Sequence, residues 1–353
     1  MNFLSEKAKK LTPYTAGLQP QEYGWVKLNT NENPYPPSPR VRDALFYSDA
    51  GSLRFYPDGN SSFLCEAIAS ADNVEKENVF CGNSSDEVLA LAFQAFFSGK
   101  ENIVSPDISY GFYPVWAEMY DVGMVFAPLN EDFSVDLAHY ENTNGVIIAN
   151  PNAPTSLALD LHSIESLLKA NSAGLVIVDE AYINYARVEN SISLTKEYEN
   201  LLVVRTFSKS HSLAGLRVGY AIGNEKLIDG LRLVRDAFNS YPLDMLAQTA
   251  ASAAIADTAY LKETSTRIIK TRESTIEALR TMGYNVLQSE ANFIFMEVND
   301  APALYNYLFE NKILVRHWNK PRIKDFLRVS IGTETEMETF LKSVEMYSKE
   351  GAI

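Results

Sequence analysis

Two cysteines and four histidines in 353 residues leave little material for a disulfide framework or a metal centre. Cys65 and Cys81 suit a reducing compartment, and His139, His162, His211 and His317 share no metal-ligand spacing. Positive charge is scarce too: 31 Lys and Arg against 45 Asp and Glu give a formal net charge of −14. A nucleic acid or an anionic membrane would meet the wrong sign over most of the surface. A few arginines in a cleft can still create a local field for a small anion. The longest apolar stretch, Leu89 to Phe97, is broken by Gln94 and is too short to cross a bilayer. The opening MNFLSEKAKKLTPY lacks the apolar run of a signal peptide. No strand candidate leads into Gly-x-Gly-x-x-Gly, which counts against a nicotinamide-dependent dehydrogenase. These absences predict a cytoplasmic, metal-independent protein that handles small molecules.

What is present reads as two domains, since the chain exceeds a comfortable single core. Residues 1–40 are rich in Pro, Asn and aromatics and include NENPYPPSP, which cannot be regular helix or central strand. They predict an arm laid over the rest. In residues 41–257, short β-rich runs alternate with helical patterns: VFCG (79–82), NIVS (102–105), MVFAPL (124–129), GVIIAN (145–150), LVIVDE (175–180), LLVVRTF (201–207) and VGYAIG (218–223). Most are apolar on both faces, as in strands of a mostly parallel sheet covered by helices, so an α/β sandwich is expected. Between them, Ser84-x-x-Glu87 reads as a capping box opening a helix that stops at Gly99, and DLHSIESLLKA reads as a second helix. A helix over about 258–282 then leads into a smaller α+β domain ending at 353. Its strands are expected at 284–288, 293–298, 312–315 and 326–332, with helices near 301–311 and 333–348.

The candidate chemistry centres on Lys209, which follows the strand LLVVRTF. Work on an amino-acid carbon benefits from an electron sink such as pyridoxal phosphate. The protein must then supply an amine, partners for a phosphate and a group opposite the pyridine nitrogen. Lys209 provides the amine, while Ser208 and the planar fork of Arg217 suit phosphate oxygens. As a permanent cation, Arg217 should also help keep Lys209 from holding its proton. Asp179 ends an apolar strand and needs a partner there, either a pyridinium or an ordinary cap or ion pair. Gly82–Glu87 forms a strand-to-helix turn whose free N–H groups suit a phosphate, with Ser84 and Ser85 as further donors. The acidic Asp86 and Glu87 in the same turn count slightly against an anion. Asn150–Thr155 offers asparagine amides on a proline-fixed loop.

Taken in order, LTPY (11–14), LNTNENPYPPSP (28–39), RFYPDG (54–59), GNSSDE (82–87), SYGFY (109–113), NPNAPT (150–155), VDEAYINY (178–185), RTFSKSHSLAGLRVGY (205–220) and FLRVSIG (326–332) span essentially the whole chain. This set resembles the fold-type-I pyridoxal-phosphate-dependent aminotransferases and, among them, the histidinol-phosphate aminotransferase branch. The resemblance implies a mostly parallel seven-stranded sheet in the large domain, pyridoxal 5′-phosphate on Lys209, and proton transfer by that lysine. It implies that Tyr110 stacks on the cofactor ring, Asp179 pairs with its nitrogen and Tyr182 reaches its hydroxyl. Ser84, Ser85, Asp86, Ser208 and Arg217 would hold the phosphate, joined by Tyr56 from the neighbouring subunit of a homodimer. Arg328 would bind the carboxylate of glutamate and, with Tyr14 and Arg316, the phosphate of histidinol phosphate. The implied reaction is transamination between L-histidinol phosphate and 2-oxoglutarate, in histidine biosynthesis. A threonine-phosphate decarboxylase, an aromatic amino acid aminotransferase or a non-enzymatic module would use the same scaffold.

There are departures from the pattern. Ala153 stands where the family commonly has the Asn that bonds the cofactor's ring oxygen. Asn152 or Tyr182 takes over, or the contact is absent. The segment Ser210-His211-Ser212 is also more polar than is typical.

Overall fold

A computed structural model of the chain describes residues 3–350. Among the described residues, twelve strands are formed. In chain order they are β1 (Val26–Lys27), β2 (Val79–Asn83), β3 (Ile103–Pro106), β4 (Met124–Ala127), β5 (Gly145–Ala149) and β6 (Leu175–Asp179). There follow β7 (Leu201–Thr206), β8 (Val218–Gly223), β9 (Phe293–Glu297), β10 (Ile313–Leu314), β11 (Arg316–His317) and β12 (Phe326–Ser330). Seven of them make one sheet in the order β2-β8-β7-β6-β5-β3-β4, where only β8 runs against its neighbours.

The apolar runs explain the layering. Within β6, Val176 and Val178 join a core shared with the helices Ser62–Asp72, Leu161–Ala170 and Met245–Ile255. Ile177 points to the opposite core, with Val88, Trp116 and Ile228 from the helices Ser84–Ala92, Tyr113–Met119 and Glu225–Phe238. Both faces are thus covered, and each buried aliphatic side chain contributes about 1.5–3 kcal/mol. The C-terminal ends of β5, β6 and β7 open toward one cavity, where ligands of such sheets usually sit.

The remaining strands form a second layer over that opening. β11, β12 and β9 make an antiparallel sheet, and β1 of the N-terminal arm lies parallel to β10. The helices Thr258–Thr281, Ala301–Glu310 and Glu334–Glu350 accompany it. The arm is therefore laid over the second sheet, tied by Leu28 N–H to Leu314 and by Ser330 N–H to Leu28.

Two local expectations need correction. Residues 284–288 do not form a strand; a single bridge joins Val286 to Met296. Leu287 donates to Phe295 and Glu297 to Asn285, but Glu290 then bonds Ser156 and Arg187 and draws the chain off the sheet edge. The capping box at Ser84 is only half formed. Asn83 is the N-cap residue, and Glu87 accepts from its N–H, whereas Ser84 is the first helical residue at φ +70°. The chain turns so sharply out of β2 that the Ser84 hydroxyl faces Arg217 instead. Gly99 ends the segment with φ +70°, after a π-turn over Phe93–Phe97.

Candidate active site

The cavity at the strand ends measures about 380 Å³ and is bordered by Lys209, Asp179, Arg217, Ser85, Asp86, Tyr110, Tyr182 and Ser208. Thr30 and Glu32 of the arm close one side.

Lys209 follows β7 by three residues and donates from Nζ to the Thr30 carbonyl at 3.0 Å. Burial lowers its amine from 10.5 to about 8, Arg328 adds to that and Arg217 contributes least, while Glu32 and Asp86 oppose it. Arg217 was expected to tune the lysine; desolvation and the more distant-in-sequence Arg328 do more. At neutral pH an appreciable fraction of the amine is already a free base.

Asp179, the last residue of β6, is buried, and burial raises its carboxyl from 3.8 to about 6. Tyr113 donates to Oδ2 at 3.0 Å and the Ala181 N–H to Oδ1 at 3.2 Å, which opposes the rise. Two donors leave lone pairs on this carboxylate open to a third partner. Beside it, Glu180 is neutralised by Arg205, which also binds Asp72 at 3.0 Å. The neighbouring acid therefore lends Asp179 little extra charge.

The helix Ser84–Ala92 brings its N-terminus to the same cavity. Gly219 of β8 lies beneath that turn: a Cβ there would come within 2.1 Å of the Ser85 nitrogen, so only glycine permits the approach. Arg217 donates to the Ser84 hydroxyl at 2.8 Å and to Asp86 at 2.6 Å. Tyr110 donates to the other Asp86 oxygen at 2.8 Å. Asp86 is thus quenched by a guanidinium and a phenol, while Glu87 turns back onto the Asn83 N–H, which answers the objection to an anion. Ser84, Arg217 and Asn31 all hold positive φ without being glycine, and strain of this kind gathers at functional sites.

Outside the residues that border the cavity, Arg328 of β12 sits across from Arg316 of β11. Arg328 donates from Nη2 to the Asn29 carbonyl at 2.7 Å, and its buried Nε has no hydrogen-bond partner among the described residues. Arg316 binds the Thr15 and Ala16 carbonyls at 2.9 and 3.4 Å. Two adjacent cations held by carbonyls and by the rings of Trp318 and Phe293 can take an anion. Tyr14 stacks on Phe112 with ring centroids 4.4 Å apart and lies 6.1 Å from Tyr110.

Asn152, Ser84, Tyr14, Arg316 and Arg328 are not among the residues that border this cavity, and neither is Tyr56, which was expected to serve the neighbouring subunit's site. Asn152 spends its amide inside its own loop: Nδ2 donates to Ile108 O and Thr155 Oγ1, both at 2.9 Å, and Oδ1 accepts from Ser109 at 2.7 Å. It cannot replace the contact that Ala153 lacks, because packing the loop turns it inward. Tyr56 lies on the surface, 81% exposed, stacked on Tyr241. Sequence reasoning missed Tyr113, Thr30, Glu32 and Asn31. Tyr113 lies within SYGFY and the other three within LNTNENPYPPSP, the only signals that could have found them.

Comparison with known proteins sharpens the picture. The model of the family described as aminotransferase class I and II matches residues 23–344. A histidinol-phosphate aminotransferase of Brachyspira hyodysenteriae is 47% identical over 351 residues, covering 99% of each chain. The crystal structure of the histidinol-phosphate aminotransferase from Clostridium acetobutylicum superposes with a TM-score of 0.85 at 24% identity, covering 92% of this chain and 99% of that one. That of the Sinorhizobium meliloti histidinol-phosphate aminotransferase, in complex with pyridoxal-5′-phosphate, gives a TM-score of 0.82 at 24% identity, over 90% and 89% of the two chains. These structures establish the fold as the fold-type-I transferase architecture. Among the described residues, no helix is long and apolar enough to cross a membrane.

Proposed function

The chain belongs to the class I and II aminotransferase family, and from that premise we propose that it transfers an amino group between L-histidinol phosphate and 2-oxoglutarate. The products are imidazole-acetol phosphate and L-glutamate, a step of histidine biosynthesis. One observation carries the reading: a lysine tuned toward its free base and a buried carboxylate with spare lone pairs border one cavity with a helix N-terminus and Arg217. The relatives named above supply the choice of substrate.

Those residues fit pyridoxal 5′-phosphate, which when bound supplies an electron sink for the substrate Cα. Lys209 would hold it and, once displaced by substrate, take the Cα proton and return it to the acceptor carbon. Asp179 would keep a ring nitrogen protonated, and its burial strengthens that ion pair. Ser85, Ser208 and Arg217, with Ser84 behind them, would hold the phosphate at the helix terminus. Tyr110 would cover one ring face and Tyr182 would meet the ring oxygen. Arg328 would grip the carboxylate of glutamate or, with Arg316 and Tyr14, the phosphate of the other substrate.

The active form in this reading is a cytoplasmic homodimer whose Tyr56 reaches the neighbouring subunit's site. Exposed Phe46, Tyr47, Phe55 and Phe63 on the same stretch of chain support such an interface. Functionally the chain divides into an arm (1–40), a cofactor domain (41–257) and a smaller domain (258–353). The test is purified protein supplied with both substrates and assayed for glutamate. Turnover of histidinol phosphate is expected; failure to form glutamate overturns the assignment.

A further inference from the structure

Among the described residues, the one side-chain hydrogen bond to Tyr182 comes from the arm. Asn31 Nδ2 donates to the Tyr182 hydroxyl oxygen at 3.1 Å, and both groups are buried. The orientation of that amide follows from its other contacts. The Ser330 hydroxyl accepts from the Asn31 backbone N–H at 2.8 Å, so its own proton goes to Asn31 Oδ1, 2.9 Å away. The reverse orientation would leave the Ser330 proton with no acceptor among the described residues. Asn292 holds the Asn31 carbonyl at 2.9 Å, and φ of +57° fixes the backbone in a region that asparagine tolerates. With Oδ1 toward Ser330 and Nδ2 toward Tyr182, the tyrosine oxygen is an acceptor on the arm side. Its proton is left to point into the cavity that Tyr182 borders.

Ala153 borders the same cavity and offers only a methyl group, and Asn152 is spent on its loop. We propose that Asn31 is a positioning residue that aims the Tyr182 hydroxyl proton at the cofactor's ring oxygen and so makes Tyr182 the donor to that atom. The inference rests on the pyridoxal-phosphate reading above. Asn31 acts through Tyr182 and is itself held by Ser330 and Asn292 of the second sheet, so the arm and that sheet jointly set the electronics of the ring. The charged groups around Tyr182 are Arg328, Asp179, Asp86 and Lys209, whose Nζ stands 5.9 Å from its ring centre. None of them hydrogen-bonds its hydroxyl.

The experiment is a pH titration of the visible absorption band of the cofactor-loaded protein. A hydrogen bond donated to the ring oxygen withdraws charge from it, so the lysine-bound chromophore holds its proton less tightly. Asn31→Gly keeps the positive φ and deletes the amide. Its titration midpoint should rise by about half a pH unit, the scale of one neutral hydrogen bond. Asn31→Asp turns the donor into an acceptor and draws the Tyr182 proton away from the ring, so its midpoint should rise by about one unit or more. In a Tyr182→Phe background neither substitution should move the midpoint further. Wild-type midpoints in both single variants, or shifts that persist without the Tyr182 hydroxyl, overturn the inference alone. A wild-type protein with no band that Lys209→Ala abolishes overturns the cofactor reading, and this inference with it.

Discussion

At the end of the cavity proposed for the cofactor, Asp179 closes β6, and Lys209 and Arg217 lie in the connection between the antiparallel strands β7 and β8. Asp179 ends one strand, and the other two sit in a short connection anchored at both ends in the same sheet, which is buried on both faces. At the end proposed for substrate, Arg328 and Arg316 extend from a different sheet and rest on carbonyls of an arm that has almost no regular structure. The first end is rigid because Asp179 and both ends of that connection are fixed to the sheet core, which would have to move with them. The second is held by a few hydrogen bonds to Asn29, Thr15 and Ala16, which an anion can replace. A transaminase must accept two dissimilar substrates in turn while doing the same chemistry on each. This division of labour suits that demand.

The comparison implies that lesions at the cofactor end damage both half-reactions equally, whereas lesions at the substrate end separate them. The largest effect is expected for Lys209→Ala. Single-turnover rates with glutamate and with histidinol phosphate should both fall by at least about 10²–10⁴-fold, the value of proton transfer alone. Asp179→Asn should slow both by roughly 10²–10³-fold with little change in KM, as for loss of a preorganised charge. A selective loss with one substrate would break the comparison. Arg328→Ala should lower kcat/KM by roughly 10²-fold, chiefly through KM, because it removes a buried charged contact. Arg316→Ala should cost about tenfold or less, and more for histidinol phosphate than for glutamate; steady-state kinetics with both substrates measures the split.

The smallest effect concerns pH. The folded Lys209 amine sits at about 8, below its ordinary 10.5, so it is mostly protonated at pH 7 and mostly free base at pH 9. Loading of cofactor-free protein, followed by the growth of its visible band, should speed up about tenfold across that range and level off above it. A midpoint near 10 would mean the cavity does not desolvate the lysine. By linkage, the same lowered value costs stability below pH 8, a cost that fades between 8 and 10.5 as the unfolded lysine also loses its proton.

The cofactor end was largely legible in the sequence because it is local. An apolar run of β-branched residues announces a buried strand, and a Lys or Asp at its end is conspicuous: LVIVD and LLVVRTF place Asp179 and Lys209 with no tertiary information. The substrate end depends on which distant segments meet. Arg328 and Arg316 emerged through family resemblance, not pattern, and no spacing rule links Asn31 to Tyr182 or Thr30 to Lys209. Asn152 was misjudged for the same reason: an amide beside a ligand and an amide that pins its own loop look alike until Ser109 and Ile108 are in place. Residues 284–288 alternate well enough for a strand, and only the tertiary pull of Glu290 on Ser156 and Arg187 denies them one.

The pairing of β1 with β10 joins the arm to a strand formed near the other end of the chain. Such distant pairings close large loops and are slow to form. During synthesis on the ribosome, the large sheet can be complete, with Lys209, Asp179 and Arg217 in place, while β10 and β12 are still untranslated. The arm then has no partner, Asn31 lacks Ser330 and Asn292, and Arg328 does not yet exist. On the proposed roles, turnover would begin only after β12 has emerged, and a nascent chain with a finished sheet would still be silent toward its substrates.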